Sequence, residues 1–233
     1  MSDKIKNYYS KLSNSETNKP KLDKNYIQHY ILPCSMICFI GATGTGKSTV
    51  LCDFLLDRKN SSFYEVIIFN PVNLDEPIYN FLYDICPDIQ LINDIEDLPE
   101  LKELDTNKKQ EKLLVVDDFI ALSSKDMKKI EKYLISSRKY GFTVILLAQN
   151  YTSIPKVISR NISYWFIFKC FDNVSINTII RNHNIYNIDK EYIMKCYLDA
   201  TKVKKDFFMF DCNVNSDKDH SLRHNFTEFY SIK

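Results

Sequence analysis

The stretch Gly41-Ala42-Thr43-Gly44-Thr45-Gly46-Lys47-Ser48 constrains this chain more than any other. It fits G-x-x-x-x-G-K-[ST], a loop that cradles phosphate. Glycine lets the backbone turn where a Cβ would clash, and lets it approach an anion closely. The loop amides then converge as an anion-binding nest. Lys47 supplies a point charge for the β- and γ-phosphates, and the Ser48 hydroxyl is placed as a Mg²⁺ ligand. The expected nucleotide cradle therefore runs from Gly41 to Thr49. Both flanks agree. Met36–Ile40 is a short apolar run, as a buried parallel strand should be. Thr49–Leu56 reads as a helix with an apolar face, and its start adds a positive end to the anion site. The chain has only four glycines, and three of them lie in this loop, where backbone geometry demands them.

A second motif lies downstream. Leu113-Leu114-Val115-Val116 runs into Asp117-Asp118, the Walker B pattern. A buried strand of this kind carries its carboxylates to the carboxyl edge of the sheet, where ligands of such sheets bind. Asp117 is the expected Mg²⁺-side carboxylate, and Asp118 is placed to orient the attacking water. Thr143–Ala148 is a further strong strand, ending in Gln149-Asn150 at the same edge. Gln149 can meet the γ-phosphate or the water and pass the event to Tyr151-Thr152-Ser153. Between the two strands, Asp126–Tyr140 reads as a helix closed by Gly141. Its Lys125, Lys128, Lys129 and Lys132 could form a DNA-facing patch or a solvated face.

The remaining elements follow from apolar periodicity. Strands are expected at Tyr64–Phe69, Ile89–Ile92, Tyr164–Phe168 and Asp206–Asp211, the last taken as the final strand. Helices are expected at Pro77–Ile85, with Ile78, Phe81, Leu82 and Ile85 on one side, then at 154–160, around Ile176–Ile180, and at Tyr192–Leu198. Tyr26–Leu32 suits an edge strand or a short helix. Residues 1–25 read as a flexible arm, 26–212 as the nucleotide-binding domain, and 213–233 as a loose polar tail. A length of 233 residues suits one α/β domain with embellishments.

Bulk properties narrow the function classes. A net charge of +1 gives no global field for a polyanion, so any nucleic-acid contact must be local. No apolar run approaches the roughly 20 residues of a membrane span, and the start lacks the apolar core of a signal peptide. Seven cysteines without C-x-x-C spacing favour a reduced, intracellular chain. His220-x₃-His224 has metal-like spacing, but no cysteine pair accompanies it. No N-K-x-D guanine signature appears, which argues against a GTPase.

The order of motifs is more specific than any one of them. Gly41–Thr49, Leu114–Phe119, Arg138–Asn150 and Ile154-Pro155 to Asn161 resemble the FtsK–HerA superfamily of DNA-pumping ATPases. Within it the chain is most similar to the genome-packaging ATPases of poxviruses, other large DNA viruses and virophages. The resemblance implies a RecA-like α/β fold, a mainly parallel sheet with helices on both faces. It also implies ATP and Mg²⁺ as cofactors and a homo-oligomeric ring. The ring would drive double-stranded DNA into a capsid, with capsid or portal components as partners. The place of action would be the host cytoplasm or viral factory, or the virion. By the same resemblance Arg138 is the arginine that completes a neighbour's site, with Arg160 as a second candidate. There is one departure: many superfamily members have Glu where Asp118 stands, and Asp is one methylene shorter. A conjugation pump or helicase-like remodeller remains an alternative from the residues alone, as does a P-loop switch or kinase without DNA.

Overall fold

The computed structural model describes residues 29–58, 63–85, 89–104, 111–170, 173–213 and 217–232. The arm expected over 1–25, and residues 26–28 of the element expected over Tyr26–Leu32, lie outside them. Among the described residues nine strands form one sheet: β1 (Met36–Ile40), β2 (Phe63–Phe69), β3 (Ile89–Ile92), β4 (Glu111–Val116), β5 (Phe142–Ala148), β6 (Tyr164–Ile167), β7 (Phe208–Asp211), β8 (Leu222–His224) and β9 (Glu228–Phe229). Their spatial order is β3-β2-β4-β5-β1-β6-β7-β8-β9. The first six are parallel, and β7, β8 and β9 each pair antiparallel to the strand before.

The central parallel strands are largely apolar because both faces are covered, with Glu111, Lys112 and Thr143 as buried polar exceptions near the starts of β4 and β5. In β1, Met36, Cys38 and Ile40 enter one core, while Ile37 and Phe39 enter the other. β5 divides the same way, with Val144, Leu146 and Ala148 on one side and Ile145 and Leu147 on the other. On the first face lie α3 (Ser124–Ser137), the short α4 (Lys156–Ser159), α5 (Asn173–His183) and α6 (Lys190–Ala200), through Ile130, Ile158, Ile176 and Ile193. On the second lie α1 (Lys47–Arg58) and α2 (Pro77–Ile85), through Leu51, Phe54, Tyr79 and Leu82. This is the expected α/β architecture.

Strand register sets the functional edge. Ile40 pairs with Ala148, and Val116 pairs with Leu146. The residues that follow, Gly41, Asp117 and Gln149, therefore emerge within about two residues' rise of one another, roughly 7 Å. β5 lies between β1 and β4, so its amide leaves the sheet between the loop and the acids.

Two expectations need correction. The polar end is not loose over 222–229: it adds β8 and β9 to the sheet, and Phe226 packs against Phe54 and Phe207. Its polarity misled because a buried charge holds it. Arg223 is fully buried, paired with the equally buried Asp211 at 3.4 Å. It also donates to the carbonyls of His220, at 2.8 Å, and His29. Asp206–Asp211 is consequently not the last strand. The second correction concerns α2, whose buried side is Tyr79 and Leu82, whereas Phe81 is exposed. The expected helix over 126–140 starts at Ser124, capped by Ser123, and ends in a 3₁₀ turn over Arg138–Tyr140 before the left-handed Gly141.

Candidate active site

The phosphate loop joins β1 to α1. Two of its glycines answer to close neighbours. A Cβ on Gly41 would lie 2.6 Å from the Cβ of Phe168, just past β6, and one on Gly46, at φ +114°, would lie 2.9 Å from the Cα of Lys205. The loop is braced by Thr45, whose hydroxyl donates to the Ala42 carbonyl at 2.7 Å. The Lys47 ammonium donates to the carbonyls of Gly41 at 2.7 Å and Ala42 at 3.1 Å. Burial lowers the pKa of Lys47, and the charges of Asp117 and Asp118 oppose that shift. The acids thus favour the charged form of the lysine.

Past the end of β4, the Asp117 amide donates to the Phe69 carbonyl at 2.9 Å, which fixes it against β2. Its carboxylate accepts from the Tyr79 hydroxyl at 2.5 Å and from the Asp118 amide at 2.9 Å. Asn70 in turn donates to the Tyr79 hydroxyl at 3.4 Å. Burial pushes the Asp117 carboxyl up to about 6, the Tyr79 hydrogen bond works against this, and the Asp118 charge works with it. A buried carboxylate is suited to a cation, because burial leaves its charge in need of a partner. Asp118 has left-handed backbone, φ 45° and ψ 27°. Asp tolerates this region better than most side chains, and such strain tends to collect at functional sites.

These parts line one cleft of about 390 Å³. Thr43, Gly44, Gly46, Lys47, Ser48 and Thr49 form one wall, and Asp117, Asp118 and Gln149 another. Gly41 and Ala42 lie buried beneath the loop, and Thr45 braces it. The Ser48 hydroxyl and the Asp117 carboxylate are hard oxygen donors of the kind Mg²⁺ takes, with phosphate and water completing its shell. No group of three or more His, Cys, Asp or Glu able to hold a metal occurs among the described residues. Beyond the loop, Asn150 caps the turn Tyr151–Ser153 by accepting from the Ser153 amide at 2.9 Å.

Sequence reasoning missed four residues. Tyr79 hid among apolar neighbours, and its signal was a hydroxyl that burial obliges to find a partner. Glu76, Lys204 and Lys205 also line the cleft. Lys205 has φ 79°, in the left-handed region, and its side chain lies across Gly46. Its signal was the cluster Lys202-Val203-Lys204-Lys205 ahead of an apolar strand.

Other candidates lie elsewhere. Arg138 is exposed beside Ser35, Met36 and Phe142, where β5 begins. The seven residues of β5 put it about 20 Å from the cleft of its own chain, at roughly 3.3 Å per residue. Arg160 lines a separate groove with Tyr151. Lys125, Lys128 and Lys132 are exposed, but Lys129 is taken by Glu96 and by Asp126. The two histidines form no metal pair. Both nitrogens of His224 meet carboxylates, and His220 packs on Tyr30 and Phe229.

A largely parallel sheet, a G-x-x-x-x-G-K-S loop between β1 and α1, and paired acids past the end of β4, with β5 between the two, define a P-loop ATPase. Comparison with known proteins narrows the class. The family model described as Poxvirus A32 protein matches residues 28–222, and the chain belongs to that family. No curated protein matches. Among solved structures, it is similar to B204, the DNA-packaging ATPase from Sulfolobus turreted icosahedral virus. That match has 16% identity and a TM-score of 0.54, over 86% of this chain and 99% of that one. B204 from Sulfolobus turreted icosahedral virus 2, in complex with sulfate, matches with 18% identity and a TM-score of 0.56, over 80% and 95% of the two chains. EssC (ATPases 2 and 3) from Geobacillus thermodenitrificans matches with 14% identity and a TM-score of 0.56, over 85% of this chain and 40% of that one. At such identities the structural matches speak for the fold.

Proposed function

We propose that this chain is an ATP-driven motor that moves double-stranded viral DNA into a capsid. The observation that carries the reading is the meeting of Lys47, Ser48, Asp117, Asp118 and Gln149 in one cleft, in a chain of the A32 family. Two likenesses support it. B204 is described as a DNA-packaging ATPase, and B204 from the second virus is known in complex with AMPPCP and with ATP-gammaS.

The chain's own residues divide the work as follows. The amides of 43–48 hold the β- and γ-phosphates, and Lys47 turns from the Gly41 and Ala42 carbonyls toward them. Ser48 and Asp117 would hold Mg²⁺, while Tyr79 keeps the Asp117 carboxylate aimed. When bound, the ion would supply positive charge that offsets the charge of the phosphates. Asp118 orients a water toward the γ-phosphate. Gln149 senses that phosphate, and the turn Tyr151–Ser153 moves with it. Arg138 serves the cleft of a neighbouring subunit in a ring, since it stands at the opposite edge from its own. Capsid or portal components are the further partners, and assembly takes place inside the infected cell.

ATPase activity measured with and without duplex DNA tests this reading. Mg²⁺-dependent hydrolysis should rise with duplex of any sequence. Lys47→Ala should abolish it, and Asp118→Asn should still bind ATP while losing about 10²-fold or more in turnover, in line with the loss of a positioned catalytic group. Phosphate transfer to a small acceptor, or hydrolysis indifferent to duplex, would defeat it.

A further inference from the structure

A second concavity, of about 780 Å³, lies beyond the nucleotide cleft. One wall is the turn Tyr151–Ser153 with α4, and the other is α5. Lys156, Arg160 and Arg181 line it, and no carboxylate does among the described residues. All three cations are exposed. None is in an ion pair among the described residues, whereas Lys129 and Lys202 are matched with Glu96 and Asp199. In a chain with a net charge of +1, three unmatched cations around one groove are a local concentration of positive charge.

The arrangement selects its ligand class. A single bound phosphate calls for a converging nest of amides, as in the loop at 41–48. Exposed cations spread along an open groove suit a repeating polyanion, whose affinity comes from charge and counterion release. Guanidinium groups match phosphate oxygens in planar pairs.

The groove is also latched to the sensor strand. The Tyr151 amide donates to Ser175 Oγ on α5 at 3.1 Å. Its hydroxyl accepts from Asn182 at 3.2 Å and meets His183 Nε2 at 3.4 Å. Burial pulls His183 down to about 4, so it is a neutral partner in this latch and not a fourth cation. Tyr151 stands two residues after Gln149, so a shift at the sensor moves one wall against the other.

We infer that this groove grips the phosphodiester backbone of duplex DNA through Lys156, Arg160 and Arg181, and that Tyr151 couples the grip to Gln149. The inference rests on the DNA-motor reading above, and its test separates the two. The experiment compares the full-length protein with the Lys156→Ala/Arg181→Ala double variant, leaving Arg160 in place. Duplex binding is followed by fluorescence anisotropy across a salt series, beside ATPase activity with and without DNA.

Duplex affinity should fall about tenfold, equally for two unrelated sequences. The slope of log K against log salt should shrink by about 2, at roughly 0.9 for each phosphate contact. The duplex concentration for half-maximal stimulation should rise in proportion. The charge-keeping Lys156→Arg/Arg181→Lys variant should recover most of the affinity, which a misfolded groove would not. Unchanged affinity and slope in the double variant, with the original protein binding duplex, would overturn the groove and leave the motor reading intact. So would a loss of DNA-free hydrolysis restored by mixing with Lys47→Ala subunits, which would assign the groove to a neighbour's nucleotide. Failure of the original protein to bind duplex would remove the motor reading and the groove together.

Discussion

The two halves of the sheet solve opposite problems. From β3 to β6 the strands are parallel and largely apolar, and the residues of the cleft follow the ends of β1, β4 and β5. From β7 to β9 they are antiparallel and short, and the largest polar group, Arg223, is in the middle of the packing. In the first half the charges of Lys47, Asp117 and Asp118 are left where a ligand can reach them, although Glu111 and Lys112 are buried at the start of β4. In the second the charge of Arg223 is buried and answered by Asp211. The two halves pair along β6 and β7, and Lys205, in the connection from α6 to β7, lies across Gly46. The antiparallel half thus stabilises the fold and also delivers a cation to the nucleotide cleft.

The sharpest way to break this division is to ask what the far edge of the parallel half is for. If Arg138 completes a neighbour's site, Arg138→Ala should lower hydrolysis by about 10³-fold or more, the usual scale for an arginine finger. It should leave the melting temperature nearly unchanged, because the residue is exposed. Mixing Arg138→Ala with Lys47→Ala subunits should restore part of the rate, since some interfaces then carry an intact lysine and an intact arginine. Mixed rings without any recovered activity would make Arg138 a surface cation only, and the functional residues would lie at one edge alone.

Arg223 should behave in the reverse way. Arg223→Ala leaves a buried Asp211 without its cation, a change that costs about 3–5 kcal/mol of stability. The folded fraction should keep its hydrolysis. Arg223→Met combined with Asp211→Leu should be far milder than Arg223→Ala, because it removes both charges and keeps volume. Urea denaturation of the three proteins measures this. A double variant as unstable as Arg223→Ala would show that the carbonyl contacts to His29 and His220, and not the ion pair, hold the half together.

This contrast also explains what could be read from the amino-acid string. The parallel half announced itself, because largely apolar strands and a glycine-bearing loop have few structural alternatives. Lys47, Asp117 and Gln149 line one cleft, because Asp117 and Gln149 each follow directly on an apolar strand and Lys47 ends the loop that leaves β1. The β8–β9 hairpin was missed because Ser221-Leu222-Arg223-His224 is mostly polar, and only tertiary pairing makes its arginine a core residue. Tyr79 was missed because a hydroxyl on an apolar helix face reads as packing until its acceptor is known. Arg138 was assigned by resemblance, and its distance from its own cleft follows only from the register of β5.

Tyr79 tests how the parallel half aims its carboxylate. Tyr79→Phe keeps the ring in the core but removes the donor to Asp117. The loss of one hydrogen bond to a charged group is worth about 1.5–3 kcal/mol at most. A fall in turnover of about tenfold is expected, together with a higher Mg²⁺ requirement and little change in ATP affinity measured without metal. Equal turnover at all Mg²⁺ concentrations would reduce Tyr79 to a packing residue.

The smallest effect concerns a charged junction inside the antiparallel half. His224 Nε2 lies 3.0 Å from Asp206 Oδ2, and Nδ1 lies 2.7 Å from Glu228 Oε2. Partial burial acts to lower its pKa, but the hydrogen bonds and charges of the two acids prevail, and the net shift is upward from 6.5. The imidazolium form is therefore favoured by folding. Its contribution is fully present below the unfolded value and is lost as pH rises through the folded one. Replacing it in His224→Gln should lower the melting temperature by about 1–3 °C on the acid side of 6.5, the scale of a partly exposed ion pair in a domain of this size. The difference should vanish at alkaline pH. Because Asp206 directly follows Lys205, the same variant should weaken nucleotide binding slightly, and only where the imidazolium would have existed. A melting difference that is constant with pH would mean that neutral hydrogen bonds hold this junction, and that the antiparallel half positions Lys205 without help from charge.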